Sequence, residues 1–86
     1  MNAAVQFAQG VRLRCEGEDA AFLLVPEGVV ELSPTARAIL ELVNGERTVN
    51  DIAKALSDLY DAPPGEIADD VTGICDGLRQ RGFLQS

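Results

Sequence analysis

The first half of the chain carries short apolar segments with the two-residue period of β-strands. Residues 10–16 alternate apolar and charged side chains, which indicates a strand with one buried and one wet face. Residues 20–26 are apolar on both faces, as in a central strand, and residues 29–32 form a short third strand. Turns at 17–19 and 26–28 separate the three segments. The pattern predicts a three-stranded antiparallel meander.

The second half has the 3.6-residue period of helices. Ser33 and Pro34 suit the cap and first residue of a helix that Asn44-Gly45 can end. Residues 48–51 match the capping-box opening of a second helix, and a third helix is predicted from about residue 64 to 81. The positions predicted to face the core are Ala36, Ile39, Leu40 and Val43, then Val49, Ile52, Leu56 and Leu59, then Ile67, Val71, Ile74 and Leu78.

Three strands followed by three helices predict one α+β domain, with the outline of a winged helix-turn-helix. We expect residues 1–9 to form a flexible N-terminal arm and residues 10–86 to form the single domain. Gly82 is predicted to end the last helix, and Phe83 and Leu84 to fold back onto the core.

The charge of the chain argues against two classes of partner. Asp and Glu number 14 against 7 Lys and Arg, which gives a net charge of −7. A phosphate backbone or an anionic membrane would be repelled over most of such a surface. The exposed positions of the third helix carry Glu66, Asp69, Asp70 and Asp76, whereas a helix that reads DNA needs Arg, Lys, Asn or Gln. The sequence begins without a signal-peptide pattern and has no membrane-length apolar run, so we expect a cytoplasmic protein.

The chemistry of an enzyme is not visible in this sequence. The chain has no histidine, so the usual nucleophile–base pair cannot be built, and it has no glycine-rich phosphate loop. Asp69 and Asp70 are adjacent on a helix and point about 100° apart, so they cannot act as a facing pair. Cys15 and Cys75 are far apart in sequence and are expected to be reduced and mostly buried. We therefore expect no catalytic residue, no metal and no cofactor.

Two features favour the binding of a protein or peptide. If the third strand lies at a sheet edge, its free N–H and C=O groups can accept a peptide as an added strand. Gly73 and Gly77 lie one turn apart in the third helix, where each costs about 0.5–1 kcal/mol relative to alanine. These glycines permit either close packing within the domain or the approach of a partner along a groove.

Five segments in order resemble the pyrroloquinoline quinone biosynthesis protein D family, PqqD. They are GVRLR (10–14), LLVPEGVVEL (23–32), ARAILELVNGERTVNDIAKAL (36–56), LYDAP (59–63) and GFL (82–84). The resemblance covers about residues 8 to 84, and Asn44-Gly45 stands where Asp-Gly is expected.

The resemblance implies a peptide chaperone, also called a RiPP recognition element (a domain that recognises ribosomally made, later modified peptides). Such proteins bind the leader of the precursor peptide PqqA and present it to the radical SAM enzyme PqqE. The leader adds as a strand beside the third strand and lies along the third helix. Carried over to this sequence, the main-chain pairing is assigned to Val29, Val30, Glu31 and Leu32, and the groove wall to Ile67, Asp70, Val71, Ile74 and Leu78.

Other readings of the sequence remain open at this point. The same fold serves several peptide-modifying pathways, so the partner can be the precursor of another pathway. A winged-helix nucleic-acid binder is the alternative from a different class, although the charge opposes it. An exposed strand edge can also pair with a second copy of the chain, which leaves a homodimer open.

Overall fold

The structure, a computed structural model, describes residues 3–18, 20–61 and 63–85. All descriptions below concern those residues. The elements in chain order are β1 (Gln6–Phe7), β2 (Arg12–Glu16), β3 (Ala20–Val25), β4 (Gly28–Glu31), α1 (Pro34–Leu40), α2 (Val49–Tyr60), α3 (Pro64–Gln80) and β5 (Leu84–Gln85).

The three longer strands form one antiparallel sheet in the order β2-β3-β4. The strand that is apolar on both faces, β3, is the central one, as predicted: β2 and β4 pair with its two edges, and α1 packs against it. The predicted α+β architecture, a three-stranded antiparallel sheet with three helices, is confirmed. The turn predicted at 17–19 includes residue 19, which lies outside the described residues.

The N-terminal segment is part of the folded body. Val5 has an exposed fraction of 0%, its N–H donates to the Arg47 carbonyl over 2.8 Å, and its carbonyl accepts from the Gly45 N–H. β1 then pairs antiparallel with β5 at the other end of the chain. The prediction of a flexible arm over residues 1–9 is therefore wrong for residues 4–8. A single buried valine and two paired residues are too short to show a periodic pattern in sequence.

The helix starts follow the predicted capping. The Ser33 side chain accepts from the Ala36 N–H, and Thr48 forms a reciprocal capping box with Asp51. α1 ends at Leu40 rather than near residue 43, because the N–H of Val43 bonds to the Leu40 carbonyl in a tightened final turn.

The core joins both halves of the chain. Its apolar side chains come from the N-terminal segment, the sheet, all three helices and the C-terminal residues: Val5, Val11, Leu23, Ile39, Leu40, Val43, Ile52, Ala53, Leu56, Val71, Cys75, Leu78, Phe83 and Leu84. Phe83 and Leu84 fold back onto the core, as predicted. Leu59 was predicted to face inward and is 71% exposed, because the last turn of α2 has no element packed over that side chain. None of the helices in the described residues is long and apolar enough to cross a membrane.

Candidate peptide-binding site

β4 is an outer strand of the sheet, and one side of its backbone has no strand partner in the described residues. The N–H of Leu32 donates to the Ala21 carbonyl over 3.0 Å, which sets the alternation of the β3–β4 ladder. In antiparallel pairs, alternate residues turn both backbone groups toward the partner strand. Val30, opposite Leu23, therefore bonds to β3, whereas Val29 and Glu31 turn their N–H and C=O groups to the open side.

This alternation corrects part of the predicted pairing set. Of the four residues assigned to main-chain pairing, Val30 and Leu32 already use their backbone groups within the sheet. Val29 and Glu31 are the two that can pair with an added strand. Both are exposed, and Val29 is 63% accessible, so the open edge offers one apolar and one acidic side chain.

α3 divides its predicted groove residues between the core and the surface. Val71 is 0% exposed and Leu78 is 8% exposed, so both belong to the core, and their assignment to an accessible wall is wrong. Ile67 and Ile74 are half-buried against the core, and Asp70 is exposed. The helix turns by 100° per residue, which carries Val71 and Leu78 toward α2 while Ile67 and Ile74 stay at the border.

An apolar cavity of about 420 Å³ lies where α1 begins, at the N-terminal end of α3. Core side chains of Ile39, Leu56 and Val71 form its floor. The rim includes Tyr60, which is 58% exposed, and the carboxylates of Glu66 and Asp70. The remaining lining residues are Pro34, Thr35, Ala38 and Ile67.

A second cavity, of about 340 Å³, lies between β4 and the C-terminal end of α3. Val29 and Val30 line it from the strand, and Arg81 and Phe83 line it from the other side. The guanidinium carbon of Arg81 lies 4.8 Å from the centre of the Phe83 ring. Val25, Glu27 and Gly28 complete the lining.

One cavity lies at the N-terminal end of α3 and the other lies between β4 and the C-terminal end of α3, and we call the surface that includes both cavities and the open edge of β4 the β4–α3 groove. β4, from Gly28 to Glu31, spans about 10 Å at roughly 3.3 Å per residue. α3 spans about 21 Å from Ile67 to Arg81 at 1.5 Å per residue. The open edge of β4 is thus about half as long as this part of α3.

The glycines of α3 do not pack within the domain. Gly73 and Gly77 are both exposed, and a Cβ atom built on either would meet no atom within 4 Å. Of the two alternatives for these glycines, close packing within the domain is therefore wrong. The approach of a partner along this face remains a prediction.

The cysteines differ in their surroundings. Cys75 is fully buried, and this burial raises the pKa of its thiol. Cys15 is exposed, contrary to prediction, although it pairs with Ala21, because it lies near the end of β2, an outer strand of the sheet. No group of three or more Cys, Asp or Glu side chains that could hold a metal ion occurs in the described part of the chain.

Comparison with known proteins identifies the family of this chain. Residues 20–84 match the model of "Coenzyme PQQ synthesis protein D (PqqD)". The chain belongs to the PqqD family. The PqqA binding protein of Rhizobium meliloti is 34% identical over 85 residues, which cover 98% of this chain and 87% of that protein. The PqqA binding protein of Klebsiella pneumoniae is 41% identical over 68 residues, 78% of this chain and 73% of that protein.

A longer relative has the PqqD region as one part. The bifunctional coenzyme PQQ synthesis protein C/D of Methylorubrum extorquens is 41% identical over 78 residues. These residues cover 90% of this chain and 21% of that protein, so this chain spans about a fifth of the relative's length.

Solved structures support the same assignment. The PqqD part of Methylobacterium extorquens PqqCD, a stand-alone RiPP recognition element, has a TM-score of 0.82 at 37% identity over 95% of this chain and 88% of that one. TbiB1, solved with the leader peptide of TbiA(beta), has a TM-score of 0.80 at 14% identity, covering 94% and 95% of the two chains. The second likeness shows the fold alone. The PqqD names describe binding and recognition, in agreement with the prediction of a non-catalytic protein.

Sequence reasoning missed the residues at the two ends of the groove. Tyr60 and Arg81 follow the last predicted core positions of their helices and break no periodic pattern. An aromatic ring directly after Leu59, with a proline-rich break beyond it, was the available signal for Tyr60. Phe83 was predicted as a core residue, and its ring also lines the cavity beside β4.

Proposed function

We propose that this chain is a peptide chaperone of PQQ biosynthesis that binds the precursor peptide PqqA and presents it to the radical SAM enzyme PqqE in the cytoplasm. The observation that carries the proposal is the open edge of β4, where the backbone groups of Val29 and Glu31 point away from β3 and have no strand partner among the described residues. Membership of the PqqD family and relatives named PqqA binding protein support the identity of the peptide.

Strand addition explains how a small domain holds a flexible peptide. The N–H and C=O groups of Val29 and Glu31 can each bond an extended peptide, which gives affinity without reading its side chains. Side chains that alternate toward the groove then meet Ile74 and Ile67 and the cavities at both ends. The half-buried isoleucines provide apolar contact, and the cavities select the residues that enter them.

The acidic surface limits what electrostatics contribute to this interaction. With a net charge of −7, the chain would repel an acidic peptide overall. We expect affinity to rest on backbone pairing and apolar burial, so it should weaken little as salt is raised. The same charge can steer association with a basic surface of the enzyme partner.

The test is isothermal titration of the chain with the PqqA precursor peptide of its own gene cluster. We expect micromolar or tighter binding that persists at high salt. A peptide of the same composition in scrambled order should not bind. Absence of binding by the native-order peptide would overturn the assignment of PqqA as the ligand.

Presentation to PqqE has a separate test. Modification of PqqA by purified PqqE is measured with the chain and with a Glu31→Pro variant, whose open edge is blocked. The proposal predicts faster or more complete modification with the parent chain than with the variant. Equal rates with both would contradict a presenting role while leaving peptide binding intact.

A different peptide pathway is the main competing function, because the fold is shared with TbiB1 and with the heterocyclase TruD, which has a TM-score of 0.71 at 21% identity. The gene cluster distinguishes the two: a short precursor with a Glu-x-x-x-Tyr core favours PQQ. Nucleic-acid binding is tested by a gel shift at low salt, where the charge predicts no complex.

A further inference from the structure

Arg81 is a cation without an ion-pair partner among the described residues of a strongly acidic protein. The ion pairs in the described residues join Arg14 to Glu16, Arg37 to Glu41 and Arg79 to Asp76, and none includes Arg81. Its side chain is exposed at the end of α3, and its one described side-chain contact is the Phe83 ring.

The Phe83 ring holds the guanidinium beside the β4 edge. A cation over an aromatic face at 4.8 Å is within the range of an attractive cation–π contact. Phe83 is 8% exposed and anchored in the core, so the ring is a fixed platform rather than a mobile side chain. Stacking uses one face of the guanidinium and leaves its in-plane N–H donors free for an acceptor.

These donors border the cavity that Val29 and Val30 line. A peptide strand paired with Val29 would place a side chain over this cavity, within reach of Arg81. A carboxylate is the group that matches a planar guanidinium best, because it can accept two parallel hydrogen bonds. Glu27 lines the same cavity and repels a carboxylate, so the ligand should lie on the Arg81 side.

We propose that Arg81, held on Phe83, is a specificity-determining residue that takes a carboxylate side chain of the bound peptide strand next to Val29. This inference rests on the proposed function, because it requires a peptide paired with β4. It gives an acidic protein one local attraction for an acidic residue and fixes which part of the peptide lies at the C-terminal end of α3.

The competing explanation for Arg81 is helix capping. A cation in the last turn is favoured by the negative end of the helix dipole, and Arg81 is the C-cap of α3. Capping alone predicts that substitution lowers stability and leaves peptide recognition unchanged. Stability and affinity are therefore measured on the same variants.

The experiment is a double-mutant titration. Each Asp and Glu of the PqqA precursor peptide is changed in turn to Asn or Gln, and each peptide is titrated into the parent chain, Arg81→Gln and Arg81→Lys. Arg12→Gln is the matched control, because Arg12 is also an exposed arginine with no ion pair within the described part of the chain, but it lies on β2, the opposite outer strand. Urea unfolding of each variant checks the fold.

We expect one peptide position at which loss of the carboxylate weakens binding to the parent chain about fivefold to tenfold, between the values for exposed and for charge-assisted pairs. Arg81→Gln should abolish the difference between that peptide and the native one. Arg81→Lys should keep part of it, because the charge remains without the planar fork. Arg12→Gln should preserve the whole difference.

Two outcomes overturn the inference. If the native peptide binds the parent chain, and each carboxylate substitution changes affinity for Arg81→Gln as much as for the parent chain, Arg81 does not recognise a carboxylate of the peptide. If the native peptide does not bind the parent chain, the proposed function fails, and this inference fails with it. Binding by the native peptide thus distinguishes failure of the inference alone from failure of both.

Discussion

Proline substitution along β4 separates the role of the open edge from that of the sheet. Val30→Pro removes an N–H that bonds to the carbonyl of Leu23, a residue with no exposed surface. The lost hydrogen bond costs about 1 kcal/mol and the unsatisfied buried carbonyl about 1–3 kcal/mol, so we expect about 2–4 kcal/mol in total. A domain of this length unfolds with about 4–13 kcal/mol, so Val30→Pro removes a large share of its stability.

Glu31→Pro should have the opposite profile. The Glu31 N–H points to the open side of β4, where proline is tolerated because no ladder bond is lost. Val30 before it is extended, which suits the residue preceding a proline. We expect stability to change by less than about 1 kcal/mol. Peptide affinity should fall at least tenfold, about 1.4 kcal/mol, because the added strand loses a donor and meets the proline ring.

Urea unfolding and isothermal titration of both variants give the two quantities. Glu31→Ala serves as the control, because it removes the carboxylate and keeps the N–H. The reasoning is refuted if Glu31→Pro and Val29→Pro both bind the peptide as tightly as the parent chain. Loss of stability in Glu31→Pro equal to that in Val30→Pro would show that the ladder alternation is wrong.

Four further predictions concern stability and reactivity. Gly73→Ala should raise the free energy of unfolding, measured by urea titration, by about 0.5–1 kcal/mol, because the new methyl group meets no atom. If the same variant binds the peptide or the enzyme more weakly, the face of α3 that carries Gly73 contacts that partner. Thr48→Ala should lower the free energy of unfolding by about 1 kcal/mol, because it removes the N-cap hydrogen bond of α2. Hydrogen bonds from Thr48 lower the pKa of Asp51 below its ordinary value. The stabilisation by this carboxylate is therefore present above the ordinary pKa of an aspartate and is lost as the pH falls through the folded-state pKa, so the unfolding midpoints of the parent chain and Asp51→Asn should converge in acid. Iodoacetamide should label Cys15 in the native protein and Cys75 only after unfolding, as mass spectrometry would show.

Local chemistry in the sequence determined where the second helix begins. Thr48 and Asp51 are close in sequence and form the capping box from their own side chains, so no distant contact is needed. The apolar run that became β3 was equally readable, because the central strand of the sheet has a neighbouring strand at each edge and all of its side chains are buried or half-buried. Family membership also followed from ordered segments of the sequence.

Only the tertiary structure decided which residues form the groove. Val71 and Ile74 are both apolar residues of one helix, and the position of α2 relative to α3 puts the first in the core and leaves the second at the border. Val29 and Val30 are adjacent valines, yet the register with β3 turns their backbone groups to opposite sides. The hydrophobic pattern predicts that a side chain can be buried. Strand register and helix packing decide which neighbour buries it and which backbone groups stay free to bind a partner.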